Sequence, residues 1–193
     1  MKFGLWAEPE RVNLSTIGGP GADEGWLAEF QGSYQAMDFA QICLADKAAR
    51  DWIFGRLAAL IDAVQPDDLK WDNNFWINCD RGGHGHGAFD GNFAHTHGLY
   101  DLLARLRARY PSLLVENVSG GGNRIDVGML QFSDVAWMDD RTAPSVLVRH
   151  NFEGLSSVLP PAYLLSFAVD HAGESLHQPS DLALYLRSRM EGV

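Results

Sequence analysis

A chain of 193 residues, 46% hydrophobic and 21% charged, is long enough for one domain with a real core and has the balance of a soluble globular protein. Its net charge of −10 argues against nucleic acid or an anionic membrane as partner, and no apolar run approaches the roughly 20 residues that span a bilayer. Two cysteines, Cys43 and Cys79, make no disulfide framework, and the N-terminus lacks a signal peptide's long apolar region, so the expected compartment is the reducing cytoplasm.

Phe3 to Trp6 reads as a short apolar strand, stopped by Glu8-Pro9-Glu10. Asn13 to Gly25, rich in Gly, Ser and Pro, reads as loop, and Met37 to Leu44 fits either irregular structure or a minor strand. Asp46 to Val64 is helical: Ala49, Ile53, Leu57, Leu60, Ile61 and Val64 recur at helical spacing, Asp46 can cap, and Pro66 follows. Leu69 to Asp72 is the next strand, and a glycine-rich loop runs from Asn73 to Gly91. Phe93 to Tyr110 is helical, with Leu99, Leu102, Leu103 and Leu106 on one face. Leu113 to Asn117 is a strand, Ser119 to Asn123 a glycine-rich turn, and Arg124 to Gln131 a short helix. Asp134 to Trp137 is a strand, Pro144 to Val158 a helix with Pro144 in its first turn, Leu164 to Val169 a strand, and Ser180 to Met190 a capped final helix. Strand and helix alternate five times, which implies a parallel sheet with right-handed crossovers. The residues suited to chemistry follow the strands, as at the mouth of a βα barrel, yet a full barrel takes about 250 residues. The expectation is a single partial domain over residues 1–193: α/β, an incomplete (β/α)8 barrel of about five βα units.

Side chains alternate along a strand, so Lys70 and Asp72 point one way and Trp71 the other. An ammonium beside Asp72 favours the ionised carboxylate that a nucleophile needs. The plain alternative is a solvated ion pair at a strand end. Asp139 and Asp140 are adjacent; two carboxylates at close range do not both ionise cheaply, so one is expected to hold its proton and serve as a general acid. The alternative is a helix cap ahead of Pro144. Trp6, at the end of the first strand, serves either as a wall for a sugar ring or as packing under a helix. The run Ser119-Gly120-Gly121-Gly122-Asn123 lets a backbone approach a ligand closely, and a glycine-rich turn before a helix can bind a phosphate, but the pattern is neither a Walker A loop nor a dinucleotide fingerprint. Arg124 and Asp126 order that loop as an ion pair in the structural reading. His84-Gly85-His86 and His95-Thr96-His97, with Cys79 nearby, have the residue types of a zinc site, and a metal-dependent hydrolase follows if a water position stays open. Against it, His84 and His86 lie on a glycine-rich loop, and His95 and His97, two apart on a helix, do not share a face. The reading therefore assigns no metal and no cofactor.

Four motifs in order carry a resemblance. Phe3-Gly4-Leu5-Trp6-Ala7-Glu8-Pro9-Glu10, Leu69-Lys70-Trp71-Asp72-Asn73-Asn74, Glu116 through Asp126, and Trp137-Met138-Asp139-Asp140-Arg141-Thr142 together resemble the catalytic barrel of the family 36 glycoside hydrolases, the melibiase-type α-galactosidases. The resemblance runs from Lys2 to about Arg189. It implies Asp72 as nucleophile, Asp140 as general acid/base and a retaining mechanism. It implies sugar contacts at Trp6 and Lys70, with Asn74, Gly121, Arg124, Asp126 and Trp137 also lining the substrate site. The substrate implied is an α-galactoside or oligosaccharide. By this match the chain covers barrel strands three to seven, and the family's N-terminal β-sandwich and C-terminal β domain, or an oligomeric partner, stand outside it. The remaining alternative is a non-catalytic sugar-binding fragment.

Overall fold

The computed structural model describes residues 2–18, 21–34, 38–141, 143–168 and 179–190. The chain falls into two compact units, Met1–Leu69 with Asn73–Leu113, and Lys70–Asp72 with Leu114–Val193.

The first unit contains β1 (Gly4–Ala7), β2 (Arg11–Asn13), β3 (Phe39–Gln41), α1 (Lys47–Val64), the start of β4 (Asp68–Trp71) and α2 (Gly91–Arg109). β1 lies beside β4, and Asp67 N–H donates to Phe3 O at 2.7 Å just before that strand. β2 and β3 form a separate antiparallel pair, with Val12 opposite Ala40. The loop expected from Asn13 therefore begins where β2 ends, and the undecided stretch holds β3. Both strands have three residues, too few to show an alternation, and each is defined only by its distant partner.

α1 opens where the cap was expected: Asp46 accepts from Ala49 N–H at 2.9 Å, and Gln65 ends the helix in the left-handed region at φ 51°. Its buried stripe is Ala49, Ile53, Leu57, Ala58 and Ile61, while Leu60 and Val64 are exposed. α2 turns Leu99, Leu102, Leu103 and Leu106 inward, each leucine contributing about 1.5–3 kcal/mol when fully buried. Gly98 lies in the same stripe. A Cβ there would lie 1.9 Å from Leu44 O and 2.5 Å from Leu44 C, so α2 rests directly on backbone. Gly98→Ala gains about 1 kcal/mol of helix propensity. The overpacking costs more, and a net loss of about 1–3 kcal/mol is expected, read as a lower Tm by circular dichroism. An unchanged Tm would show that α2 is not seated on Leu44.

The second unit contains Lys70–Asp72, β5 (Leu114–Asn117), β6 (Val135–Trp137), α3 (Ser145–Ser156), β7 (Leu164–Leu165) and α4 (Pro179–Arg187). Its strands follow in the order β4, β5, β6, β7. β5 and β6 are parallel, with Asn117 opposite Ala136, as are β6 and β7, with Ala136 opposite Leu164. This is the parallel α/β arrangement that alternating strands and helices implied. Ala136, Met138, Val148, Leu159, Tyr163 and Leu164 form a core that Phe152 and Leu155 of α3 cover.

Three expectations need correction here. The helix expected over Arg124 to Gln131 is a single 3-10 turn, Met129–Gln131, ahead of which the Asp126 carboxylate accepts from Met129 N–H at 2.8 Å. Pro144 lies one residue ahead of α3, at its cap position, rather than in its first turn. The strand expected from Leu164 to Val169 is regular only for Leu164–Leu165; Val169 lies outside the described residues.

Candidate active site

Asp72 directly follows β4 and is buried. Two residues earlier, Lys70 extends its ammonium to Glu116 of β5, Nζ to Oε1 at 2.9 Å, with both side chains largely covered. The same ammonium lies 3.4 Å from the ring centroid of Trp137 at the end of β6. Trp137 in turn stacks on Phe167, with centroids 4.2 Å apart and planes 15° apart, just beyond β7. One lysine thus ties three neighbouring strand ends together, through an ion pair and a cation–π contact that contributes about 0.5–2 kcal/mol depending on its desolvation. Glu116 and Phe167 complete this set, beyond the site residues expected from sequence. Glu116 opens the third motif, but its pairing with Lys70 needs β5 to lie beside β4, which no local pattern encodes.

Trp137 also reaches the other aspartate. Its indole Nε1–H donates to Asp140 Oδ1 at 2.9 Å, which holds an exposed carboxylate near the ring. Asp139 is occupied differently. Arg141 clasps it through Nε, Nη2 and its backbone N–H at 2.9–3.1 Å, and Asn151 Nδ2 donates to it at 2.9 Å. Burial pushes the Asp139 carboxyl up, but the Arg141 and Asn151 hydrogen bonds outweigh it and hold it below the ordinary carboxylate range. Of the adjacent pair, Asp139 is therefore not the raised carboxyl: an arginine fork neutralises it. Neither aspartate caps α3, whose cap position is Pro144.

The glycine run packs against this turn. Gly121, at φ +82°, would carry a Cβ 2.9 Å from Asp140 N, and a Cβ on Gly122 would lie 2.2 Å from Met138 O. Glycine is required because backbone meets backbone here. The loop bonds to itself, Ser119 N–H to Gly121 O at 2.9 Å and Asn123 N–H to Ser119 O at 3.1 Å. Asn117 Nδ2 donates to Arg124 O at 2.9 Å. No α-helix opens after it, so the phosphate reading lacks the aligned helix N-terminus that it requires. The Asp126 carboxylate is engaged by Met129 N–H.

In the first unit, the Glu8-Pro9-Glu10 motif is anchored at both acids. Asn74 Nδ2 donates to Glu8 Oε1 at 2.7 Å, and Arg11 pairs with Glu8 Oε2 at 2.9 Å. Glu10 is fully buried. His95 Nε2–H donates to its carboxylate at 2.8 Å, and Leu44 N–H donates to His95 Nδ1 at 3.0 Å. A backbone N–H aimed at Nδ1 fixes the proton on Nε2, so this is a neutral imidazole held to a carboxylate. Trp6 is 57% exposed, which sets aside its packing under a helix. His97, on the opposite side of α2 from His95, is exposed and pairs with the ring of Phe93 at 4.9 Å. The four histidines weighed for a metallohydrolase therefore do not form one site: His95 serves Glu10 and His97 faces outward.

Comparison with known proteins bears on these geometries. The Melibiase family model matches residues 1–189. The bifunctional alpha-galactosidase/sucrose kinase AgaSK of Mediterraneibacter gnavus is 35% identical over 146 residues, covering 74% of this chain and 15% of that protein. Alpha-galactosidase 2 of Pediococcus pentosaceus is 35% identical over 167 residues, covering 83% of this chain and 23% of its own. The solved structure of the GH36 alpha-galactosidase AgaB from Geobacillus stearothermophilus superposes with a TM-score of 0.81 at 22% identity, covering 98% of this chain and 27% of that one. The chain thus spans no more than about a quarter of each of these proteins.

Proposed function

The chain belongs to the Melibiase family, and from that premise we propose that it carries the catalytic carboxylates of a retaining α-glycoside hydrolase acting on α-galactosides. In this reading it supplies strands three to seven of a (β/α)8 barrel whose other strands lie outside these residues. The observation that carries the proposal is the ligature in the second unit. Lys70, Glu116 and Trp137 join the ends of β4, β5 and β6, with one carboxylate, Asp72, following β4 and another, Asp140, held by Trp137.

The two carboxylates differ as the chemistry requires. Asp72 is buried, and its carboxylate attacks the anomeric carbon, forming a glycosyl ester as the bond to the leaving oxygen breaks. Asp140 is exposed and gives its proton to that oxygen. In the second step Asp140 takes a proton from water, whose oxygen attacks the same carbon and releases Asp72. Retaining pairs lie ~5–5.5 Å apart. β4 and β6 are two strand spacings apart, roughly 9–10 Å, so this reading requires both side chains to lean toward the intervening strand.

The test is a chimera: residues 1–189 in place of the matched segment of the Pediococcus pentosaceus enzyme. Hydrolysis of a nitrophenyl α-galactoside, followed by proton NMR, is expected to release α-galactose first. Release of β-galactose first would overturn the retaining assignment. A chimera with the parent's Tm and no turnover would overturn the function. By the same assignment, the isolated 193-residue chain is expected to hydrolyse this substrate poorly or not at all.

A further inference from the structure

The first unit holds a second cluster that the glycosidase chemistry does not use. The geometry points to a closed tetrahedral site for one Zn²⁺, formed by Cys43, Cys79, His84 and His86, with a structural role. The four ligand atoms all lie within 4.8 Å of one another. Cys43 Sγ is 3.5 Å from His86 Nε2, and Cys79 Sγ is 3.4 Å from His84 Nδ1. Tetrahedral zinc, with Zn–S near 2.3 Å and Zn–N near 2.0–2.1 Å, sets its ligand atoms roughly 3.3–3.8 Å apart.

The outer ring nitrogens point to the same role. His84 Nε2 lies 2.7 Å from Gly25 O, and His86 Nδ1 lies 2.7 Å from Gly87 O. A carbonyl only accepts, so these nitrogens carry the protons. The inward nitrogens, His84 Nδ1 and His86 Nε2, then present lone pairs toward the two sulfurs. Backbone carbonyls that fix the tautomer in this way are the usual outer support of zinc-bound histidines.

The surroundings suit an ion and exclude a reaction. Cys43 and Cys79 pack with Ala28 and Ile77 in a small apolar cluster, and His84 is buried beside them. Two thiolates balance Zn²⁺, so the buried site carries no net charge. Four protein ligands leave no open position for water, which separates this site from a catalytic metal centre. The backbone is shaped for it. Gly83 and Gly85, flanking His84, have φ of +89° and +81°. A Cβ on Gly91 would meet Cys79 O at 2.1 Å and His86 Cε1 at 3.1 Å. The ligands come from the segment after β3 and from the irregular loop between β4 and α2. An ion there fastens a loop that has no regular structure of its own.

The test needs no activity measurement. The full chain is expressed with zinc, dialysed against metal-free buffer and analysed by mass spectrometry for metal, with one zinc per chain expected. Exchange with Co²⁺ is expected to give a thiolate-to-cobalt charge-transfer band and the strong visible bands of a tetrahedral centre. Cys43→Ser and His86→Ala are each expected to bring the zinc content close to zero. Where a variant does not fold, the cobalt spectrum of the parent chain decides. Metal-free protein with two freely titrating thiols, an intramolecular Cys43–Cys79 disulfide, or the weak spectrum of octahedral cobalt would each overturn the assignment.

Discussion

Asp72→Gly is expected to lower kcat/KM of the chimera on a nitrophenyl α-galactoside by ~10⁴-fold or more, while leaving its Tm close to the parent value. Loss of the nucleophile removes the covalent step, and no neighbouring group replaces it. Glu116 is spent on Lys70 at 2.9 Å, and Asp139 is clasped by Arg141 and Asn151. The cavity left by Asp72 then admits a small anion. Added azide is expected to restore turnover and to give β-galactosyl azide, because the azide attacks from the face the carboxylate occupied. Asp72→Asn, which keeps the shape and removes the charge, should be equally inactive but not rescued, since no space opens. A fall of less than tenfold, or rescue that yields α-galactosyl azide, would remove Asp72 from the role of nucleophile.

The parts of this fold that were legible in the sequence are those built from local rules. The stripe Ala49, Ile53, Leu57, Ile61 and the Asp46 cap mark α1, and the four inward leucines mark α2. Asp72 at a strand end follows from period-2 alternation. What was not legible depends on chain neighbours far apart in sequence. β2 and β3 exist because Val12 meets Ala40, not because either segment has a strand's pattern. Glu10 looks like half of a loop motif until His95 reaches it from α2. In sequence Cys43 is only one of two unpaired thiols, and the histidines group by proximity along the chain. The fold regroups them, drawing His84 and His86 toward the cysteines and His95 toward a carboxylate. Asp126 shows the reverse: the composition around it suggests a helix, and the chain makes only the 3-10 turn Met129–Gln131 there.

The general acid should show itself through the leaving group. Asp140→Gly in the chimera is expected to reduce turnover of a natural α-galactosyl oligosaccharide by ~10²–10⁴-fold, since the departing sugar alkoxide needs a proton. The same variant should hydrolyse a dinitrophenyl α-galactoside at close to the parent rate in the first step, because that phenolate leaves unaided. The second step, now without a base, becomes limiting and the glycosyl ester on Asp72 accumulates as a burst. Azide then attacks that ester and gives α-galactosyl azide, the opposite anomer from the Asp72→Gly product. Trp137→Phe removes the 2.9 Å indole hydrogen bond to Asp140 but keeps a ring for Lys70 and Phe167. A loss of about tenfold, in kcat rather than KM, is expected from it, the size of one charge-assisted hydrogen bond. Equal losses on oligosaccharide and dinitrophenyl substrates in Asp140→Gly would show that Asp140 does not transfer the proton, and the exposed carboxylate beside Trp137 would then serve only to hold the loop.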